Sequence, residues 1–178
     1  MAQHATHVAS TFRTLAFACL MFATLVPACT ARALEGTHER PDYSVTRQQL
    51  QRLHEDADEG SAFAQFVLGA MYHLGEAVPQ DYTESAKWIS RAADQGFIVA
   101  QFALGEMYAL GQGVPEDAVL AHKWFNLSAA EAARITGANK LTHRAAEMRD
   151  ALERTMSPAQ IEEAQKLARQ WKPNSERD

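Results

Sequence analysis

The chain has 178 residues, with 17 basic and 22 acidic side chains and a net charge of −5. The acidity is uneven: residues 55–117 have a net charge of −9, from 11 acidic and two basic side chains, whereas residues 118–178 have a net charge of +2. No basic stripe is available to neutralise phosphates, so the composition argues against nucleic acid as a partner.

The first 33 residues have the features of a signal peptide. Residues 15–26 (LAFACLMFATLV) are apolar, but the run is shorter than the roughly 20 residues that a membrane-spanning helix needs. Ala31 and Ala33 form the small-x-small pattern that signal peptidase recognises. We therefore expect cleavage after Ala33 and a periplasmic or secreted protein. Removing 33 of the 178 residues leaves 145 residues, a net charge of −7 and no cysteine, so the fold would not depend on disulfides.

Cys29 offers a second interpretation of the same segment. The sequence Val26-Pro27-Ala28-Cys29 loosely resembles a lipobox, although Pro27 is an unusual residue within that motif. Cys29 would then become a lipidated N-terminus, and the protein would be anchored in the envelope by lipid. We expect contact with a membrane only in that case.

A linker and a single helix precede the repeats. Residues 34–43 lack periodicity and predict a solvated linker. Ser44 is a candidate N-cap for a helix that extends to about Glu59 and ends at Gly60, on the apolar positions Val45, Leu50, Leu53 and Ala57. Gly96 occurs 36 residues after Gly60. This helix therefore corresponds to the second half of a repeat whose first half is missing.

An internal repeat dominates the middle of the chain. Residues 64–75 (AQFVLGAMYHLG) and 100–111 (AQFALGEMYALG) match at a distance of 36 residues. Fourteen of the 25 positions from Ala64 to Trp88 recur identically, and a fixed period of this length is typical of stacked two-helix repeats. We predict helices at 61–74 and 82–95, followed by a second pair that extends to about Arg134.

The loops inside the two units carry matching turn signals. Gly75 and Gly111 stand where a helix C-terminus needs a left-handed residue. Asp81 and Asp117 are candidate N-caps of the following helices, and Glu84 completes a pattern similar to a capping box.

Two further helices are predicted at the C-terminus. The first spans 138–155, on the stripe Leu141, Ala145, Met148 and Leu152. The second begins with Ser157-Pro158-Ala159-Gln160, which places a cap, a proline and a glutamine at their preferred positions, and it ends before Pro173. The prediction is an all-α, right-handed α-solenoid with a half-repeat at 44–59, two full units up to 134, a helical cap at 135–173 and a tail at 174–178.

One face of the first helix of each unit is a candidate groove for a partner. The repeated residues of the opposite face, such as Leu68 and Leu104, are predicted to form the core. The candidate groove differs between the units and contains Phe63, Phe66, Ala70 and His73 in the first, and Val99, Phe102, Glu106 and Ala109 in the second. We expect this acidic surface to bind a protein segment with an apolar anchor and basic flanks. Alternatively, the preceding helix or the linker buries Phe63, Phe66 and Phe102.

No reaction chemistry is indicated. The histidines after residue 33 show neither HExxH nor i, i+4 spacing, and no nucleotide-binding or nucleophile motif occurs. The sequence therefore predicts no catalytic residue, no metal site and no cofactor.

The pattern A-x-x-x-L-G-x-M-Y-x-x-G-x-G-V-P-x-D, followed by Lys-Trp, resembles the Sel-one-like repeat family, which is related to tetratricopeptide repeats. The resemblance covers about residues 57–132. Residues 157–171 also resemble a C-terminal extension common among bacterial members. Ala77 departs from the pattern because the second unit has Gly113 at this position, and we expect a tighter or shifted first loop.

The resemblance implies a non-catalytic scaffold for protein–protein interaction in the bacterial cell envelope. The alternative is an envelope hydrolase or a protein that binds β-lactams or peptidoglycan fragments, as described for some exported relatives. Those relatives have repeats held by disulfides. No cysteine occurs in the repeats of this chain, so the resemblance does not extend that activity to it.

Overall fold

The computed structural model describes residues 46–136 and 140–174. The predicted signal segment, with Ala31, Ala33 and Cys29, and the predicted linker at 34–43 lie outside the described residues. Within them the structure has seven α-helices and no strand: α1 Arg47–Asp58, α2 Ala62–Leu74, α3 Tyr82–Asp94, α4 Ile98–Leu110, α5 Ala118–Thr136, α6 Lys140–Glu153 and α7 Pro158–Gln170.

The helices form a solenoid of two antiparallel pairs. Helix α2 packs against α3 in the first unit, α4 packs against α5 in the second, and α3 joins the units by packing against α4. Helix α1 packs against α2, as expected for the second half of an incomplete repeat. The prediction of an all-α solenoid of helix-turn-helix repeats is confirmed.

Close approach within each unit depends on one glycine. A Cβ atom on Gly69 would lie 2.6 Å from Cγ1 of Ile89 and 3.2 Å from the carbonyl oxygen of Ser85. A Cβ atom on Gly105 would lie 2.8 Å from the ring of Phe125. The repeated glycine therefore allows the two helices of a unit to approach closely.

Two glutamines join the units and were missed in the sequence. Gln65 Nε2 donates to the carbonyl oxygen of Ala57 at 2.9 Å, and Gln101 Nε2 donates to that of Ala93 at 3.5 Å. Donor and acceptor both recur 36 residues later in the chain. The first helix of each unit is therefore hydrogen-bonded to the C-terminal end of the helix that precedes it. The signal was present in the repeated AQF motif.

The first helix begins later than the sequence predicted. Thr46, rather than Ser44, is the N-cap: its side chain accepts a hydrogen bond from the amide of Gln49, whose side chain accepts one from the amide of Thr46. This reciprocal capping box needs glutamine or glutamate at N3. Ser44 has Arg47 at that position, which explains why Thr46 is preferred.

The loop of the first unit has the same conformation as that of the second. Gly75 and Gly111 are left-handed, with φ of 71° and 63°. Ala77 has φ 64° and Gly113 has φ 73°, so the expected tighter or shifted loop is wrong. Gly113 has an additional reason to be glycine, because a Cβ atom there would collide with the carbonyl oxygen of Tyr82. Ala77 is exposed, so its side chain meets no such collision and only its left-handed backbone conformation is unfavourable.

The last two helices both pack against α5. The ring of Trp171, which follows α7, meets that of Trp124 edge-on with centroids 6.0 Å apart. A Cβ atom on Gly96 would lie 3.8 Å from both Trp171 and Pro173. The segment after α7 therefore reaches the turn between the two units.

Candidate protein-interaction surface

The structure separates the eight predicted groove residues into three groups by burial. Phe66, Phe102, Glu106 and His73 are buried, with exposed fractions of 7%, 1%, 0% and 7%. Phe63 is 60% exposed. The three remaining candidates, Ala70, Val99 and Ala109, are half-buried.

The two buried phenylalanines are core residues of the stack. The ring of Phe66 packs on that of Phe97 with centroids 5.4 Å apart, and Phe102 packs on Phe125 with centroids 5.5 Å apart. The expectation that they serve as surface anchors is therefore corrected, and the alternative of burial holds for both. The aromatic side chains that contact them, Phe97 and Phe125, come from later in the chain.

His73 belongs to a small cluster at the end of the first loop. Its ring meets that of Tyr82 with centroids 5.0 Å apart, and Gln80 Nε2 donates to its carbonyl oxygen at 2.7 Å. Burial lowers the pKa of His73, because a charged ring would lose hydration. His73 is therefore neutral at pH 7 and is not a positive contact for a partner.

Glu106 is the most unusual residue of the candidate set. It is fully buried in α4, and neither carboxylate oxygen has a hydrogen-bond partner among the described residues. Burial raises the pKa of Glu106 to about 8, against the opposing charge of Arg144 in α6. The carboxyl group is therefore protonated at pH 7 and adds no charge to the acidic surface.

Polar pairs join α5 to α6 next to this region. His122 is fully buried, and its Nε2 lies 2.7 Å from Oε1 of Glu153. Arg149 donates to Asn126 at 3.5 Å. These contacts position α6 on the second unit.

An open apolar stripe on α2 was only partly foreseen. Phe63, Val67, Ala70 and Leu74 follow one another at intervals of three or four residues, which places them on one helix face. Phe63 is exposed and the other three are half-buried. Phe63 and Ala70 are among the predicted groove residues. Val67 and Leu74 are not, because they differ little from core positions in hydrophobicity.

Phe97 extends this stripe to the next helix. It is the N-cap residue of α4 and makes no side-chain capping hydrogen bond, whereas Ser61 caps α2 through the amide of Ala64. Instead, the half-buried ring of Phe97 packs on Phe66 and lies edge-on to Phe63, with the last two centroids 6.4 Å apart. Phe97 therefore provides an aromatic contact instead of a capping hydrogen bond. The cluster of Phe63, Phe66 and Phe97 is open to solvent on the side of Phe63.

Other kinds of site are not indicated by the part of the chain that the structure describes. No group of three histidine, cysteine, aspartate or glutamate side chains in 46–136 and 140–174 could hold a metal ion. Within the same ranges, no helix has the length and apolar character needed to cross a membrane.

Comparison with known proteins agrees with the geometry. The family model described as Sel1 repeat matches residues 62–97 and 98–132. The chain is similar to the crystal structure of c5321, a protective antigen present in uropathogenic Escherichia coli strains that displays an SLR fold, with 31% identity and a TM-score of 0.62. That match covers 70% of this chain and 25% of the other, so the chain spans about a quarter of its length.

A Sel1 repeat protein from Oxalobacter formigenes is 28% identical over 70% of this chain and 99% of its own, with a TM-score of 0.45. No match was found among curated proteins.

Proposed function

Because residues 62–132 form two Sel1 repeats, which makes the chain a Sel1-like repeat protein, we propose that it is an exported, non-catalytic scaffold that binds a protein partner in the bacterial cell envelope. Sel1 repeat proteins are typically scaffolds for protein interaction. The observation that carries the proposal for this chain is the open apolar stripe of α2, since a stacked repeat has no internal need for an exposed phenylalanine.

Export is proposed from the N-terminal segment alone. The apolar run at 15–26 and the pattern formed by Ala31 and Ala33 favour cleavage after Ala33. Intact-mass measurement of the protein recovered from the envelope tests this. A mature N-terminus at Leu34 agrees with the proposal, a lipidated Cys29 replaces a free periplasmic protein with an anchored one, and a retained Met1 contradicts export.

The absence of catalysis is proposed on the position of the titratable groups. Glu106 has the raised pKa that a general acid would need, but its side chain is fully buried and out of reach of a substrate. A turnover screen with β-lactams and peptidoglycan fragments tests the alternative. Hydrolysis that a single acidic substitution abolishes would contradict the scaffold.

Partner binding is tested by affinity isolation from envelope extracts with a tag at the C-terminus. We expect a protein to be recovered at a constant ratio to the scaffold, and we expect this ratio to fall when Phe63 is replaced by alanine. Arg91→Ala is the matched control, since Arg91 is also exposed but lies on α3 over the ring of Trp88.

A further inference from the structure

The two units differ at the centre of the same helix face. On α2 the stripe Phe63, Val67, Ala70 and Leu74 is apolar throughout, with Phe63 exposed and the other three residues half-buried. At the matching positions on α4, Val99 is half-buried and Leu110 is 38% exposed, but the central residues Ala103 and Glu106 are only 3% and 0% exposed. A centre that is accessible to solvent is therefore a property of the first unit and is not required by the repeat.

The stripe has a defined length. From Phe63 to Leu74 it spans 11 helical intervals, or about 16 Å at 1.5 Å per residue. Phe97 widens it at the end where Phe63 lies. A surface of this length fits about three turns of a second helix laid against it, with apolar side chains at intervals of three or four residues.

Acidic side chains stand at both ends of the stripe. Glu59 is the C-cap of α1, four residues before Phe63, and Glu76 follows Leu74 by two residues. Both are exposed. Helix α2 itself contains no acidic residue, so the negative charge lies at the ends and the centre is apolar. The local excess of acidic residues in 55–117 strengthens this field.

From this juxtaposition we propose that the α2 stripe is the docking site for an amphipathic helix of a partner protein, with Lys or Arg at both ends of its apolar face. The proposal rests on the proposed function, and it specifies the face used and the partner's chemistry. Phe63 is the most exposed apolar contact, Phe97 supports its ring, and Glu59 and Glu76 select a helix with basic ends. Such charges fix register and speed association more than they add affinity.

The test uses the full chain in its native cells, with a photoreactive phenylalanine analogue in place of Phe63 and, separately, in place of Lys87. Lys87 is exposed on α3, away from the stripe. The crosslinked segment of the captured protein is sequenced by mass spectrometry. We expect a crosslink at position 63, to a segment with apolar residues at helical spacing and Lys or Arg at both ends.

Charge reversal provides the second measurement. The double variant Glu59→Lys, Glu76→Lys should lower the crosslinking yield about fivefold or more, from two surface ion pairs. The difference in crosslinking yield between the natural chain and the double variant should become smaller at high salt. The matched control is Glu147→Lys, Glu162→Lys, which makes the same change in net charge at exposed positions of α6 and α7 and should leave the yield unchanged.

Each other outcome overturns the proposal in a distinguishable way. A crosslinked segment without basic ends, or a yield equal in both double variants, contradicts the selection by Glu59 and Glu76. A crosslink to another copy of this chain indicates self-association, and one to residues 34–45 indicates that the chain covers its own face. A crosslink from position 87 alone agrees with the proposed scaffold but places the partner on α3, and it therefore contradicts the docking site on α2. No crosslink at either position contradicts both the docking site and the scaffold.

Discussion

The first and second units share their core, their turns and the close contact at Gly69 or Gly105, but they differ in what covers the outer face of the first helix. In the second unit this face is buried around Glu106, and α6 and α7 both pack against α5. In the first unit the face is apolar and open around Phe63. A repeat sequence therefore fixes how units stack, whereas the residues that vary between units decide which surface is left for a partner.

Among the changes that test this comparison, truncation after Thr155 should have the largest effect on stability. It removes α7 and the half-buried side chains of Ile161, Leu167 and Trp171. Complete burial of each would contribute roughly 1.5–3 kcal/mol, so half-burial of three suggests a loss of about 3 kcal/mol. We expect a clearly lower melting temperature, with hydrogen exchange in α5 accelerating before that in α2. An unchanged melting temperature would show that α7 is an appendage.

The carboxyl group of Glu106 should make stability fall as the pH rises. Its folded pKa of about 8 lies above the usual value for glutamate, so the folded state holds a proton that the unfolded state releases. The contribution of this group to stability is therefore fully present below about pH 4 and declines until about pH 8. Glu106→Gln should be more stable than the natural chain by on the order of 2–3 kcal/mol at pH 7, and equal to it near pH 4.

Chemical denaturation at several pH values measures this difference. The control is Glu76→Gln, which makes the same change of side chain at an exposed position. Parallel curves for Glu106→Gln and the natural chain would mean that the group is ionised in the folded protein.

The two loops provide a matched pair of substitutions with opposite signs. Gly113→Ala should destabilise the second unit by about 2 kcal/mol, from a left-handed backbone and the collision with the carbonyl oxygen of Tyr82. Ala77→Gly should stabilise the first by about 1 kcal/mol, because only the backbone strain is relieved. Thermal denaturation of both variants tests the pair, and equal effects in the same direction would refute the shared loop conformation.

Phe97→Ser should have the smallest net effect. A serine N-cap contributes about 1 kcal/mol, and the lost aromatic contacts with Phe66 and Phe63 cost about the same. Stability should therefore change little, while partner binding at the α2 stripe weakens. A large loss of stability would show that Phe97 serves the core alone.

The repeat pattern predicted the helices, their order and the turn residues, because these depend on local chemistry that recurs at 36 residues. The candidate groove was predicted less well. The helical periodicity places Phe66 and Phe102 on the same face as the other groove candidates. They are buried because Phe97 and Phe125 pack on them in the folded chain, and periodicity does not predict that contact. Likewise, the burial of Glu106 depends on long-range packing, which single-sequence periodicity does not contain.

The positions of the three tryptophans allow the docking of α7 to be followed by spectroscopy. Trp88 lies in the first unit beside His54, whereas the ring centroids of Trp124, in the second unit, and Trp171, after α7, are 6.0 Å apart. Two indoles at this separation couple electronically, so near-ultraviolet circular dichroism should contain a signal that exists only while α7 is docked. Replacing Trp88 by phenylalanine would leave that signal isolated, and the docking of the last helix could then be followed without any label.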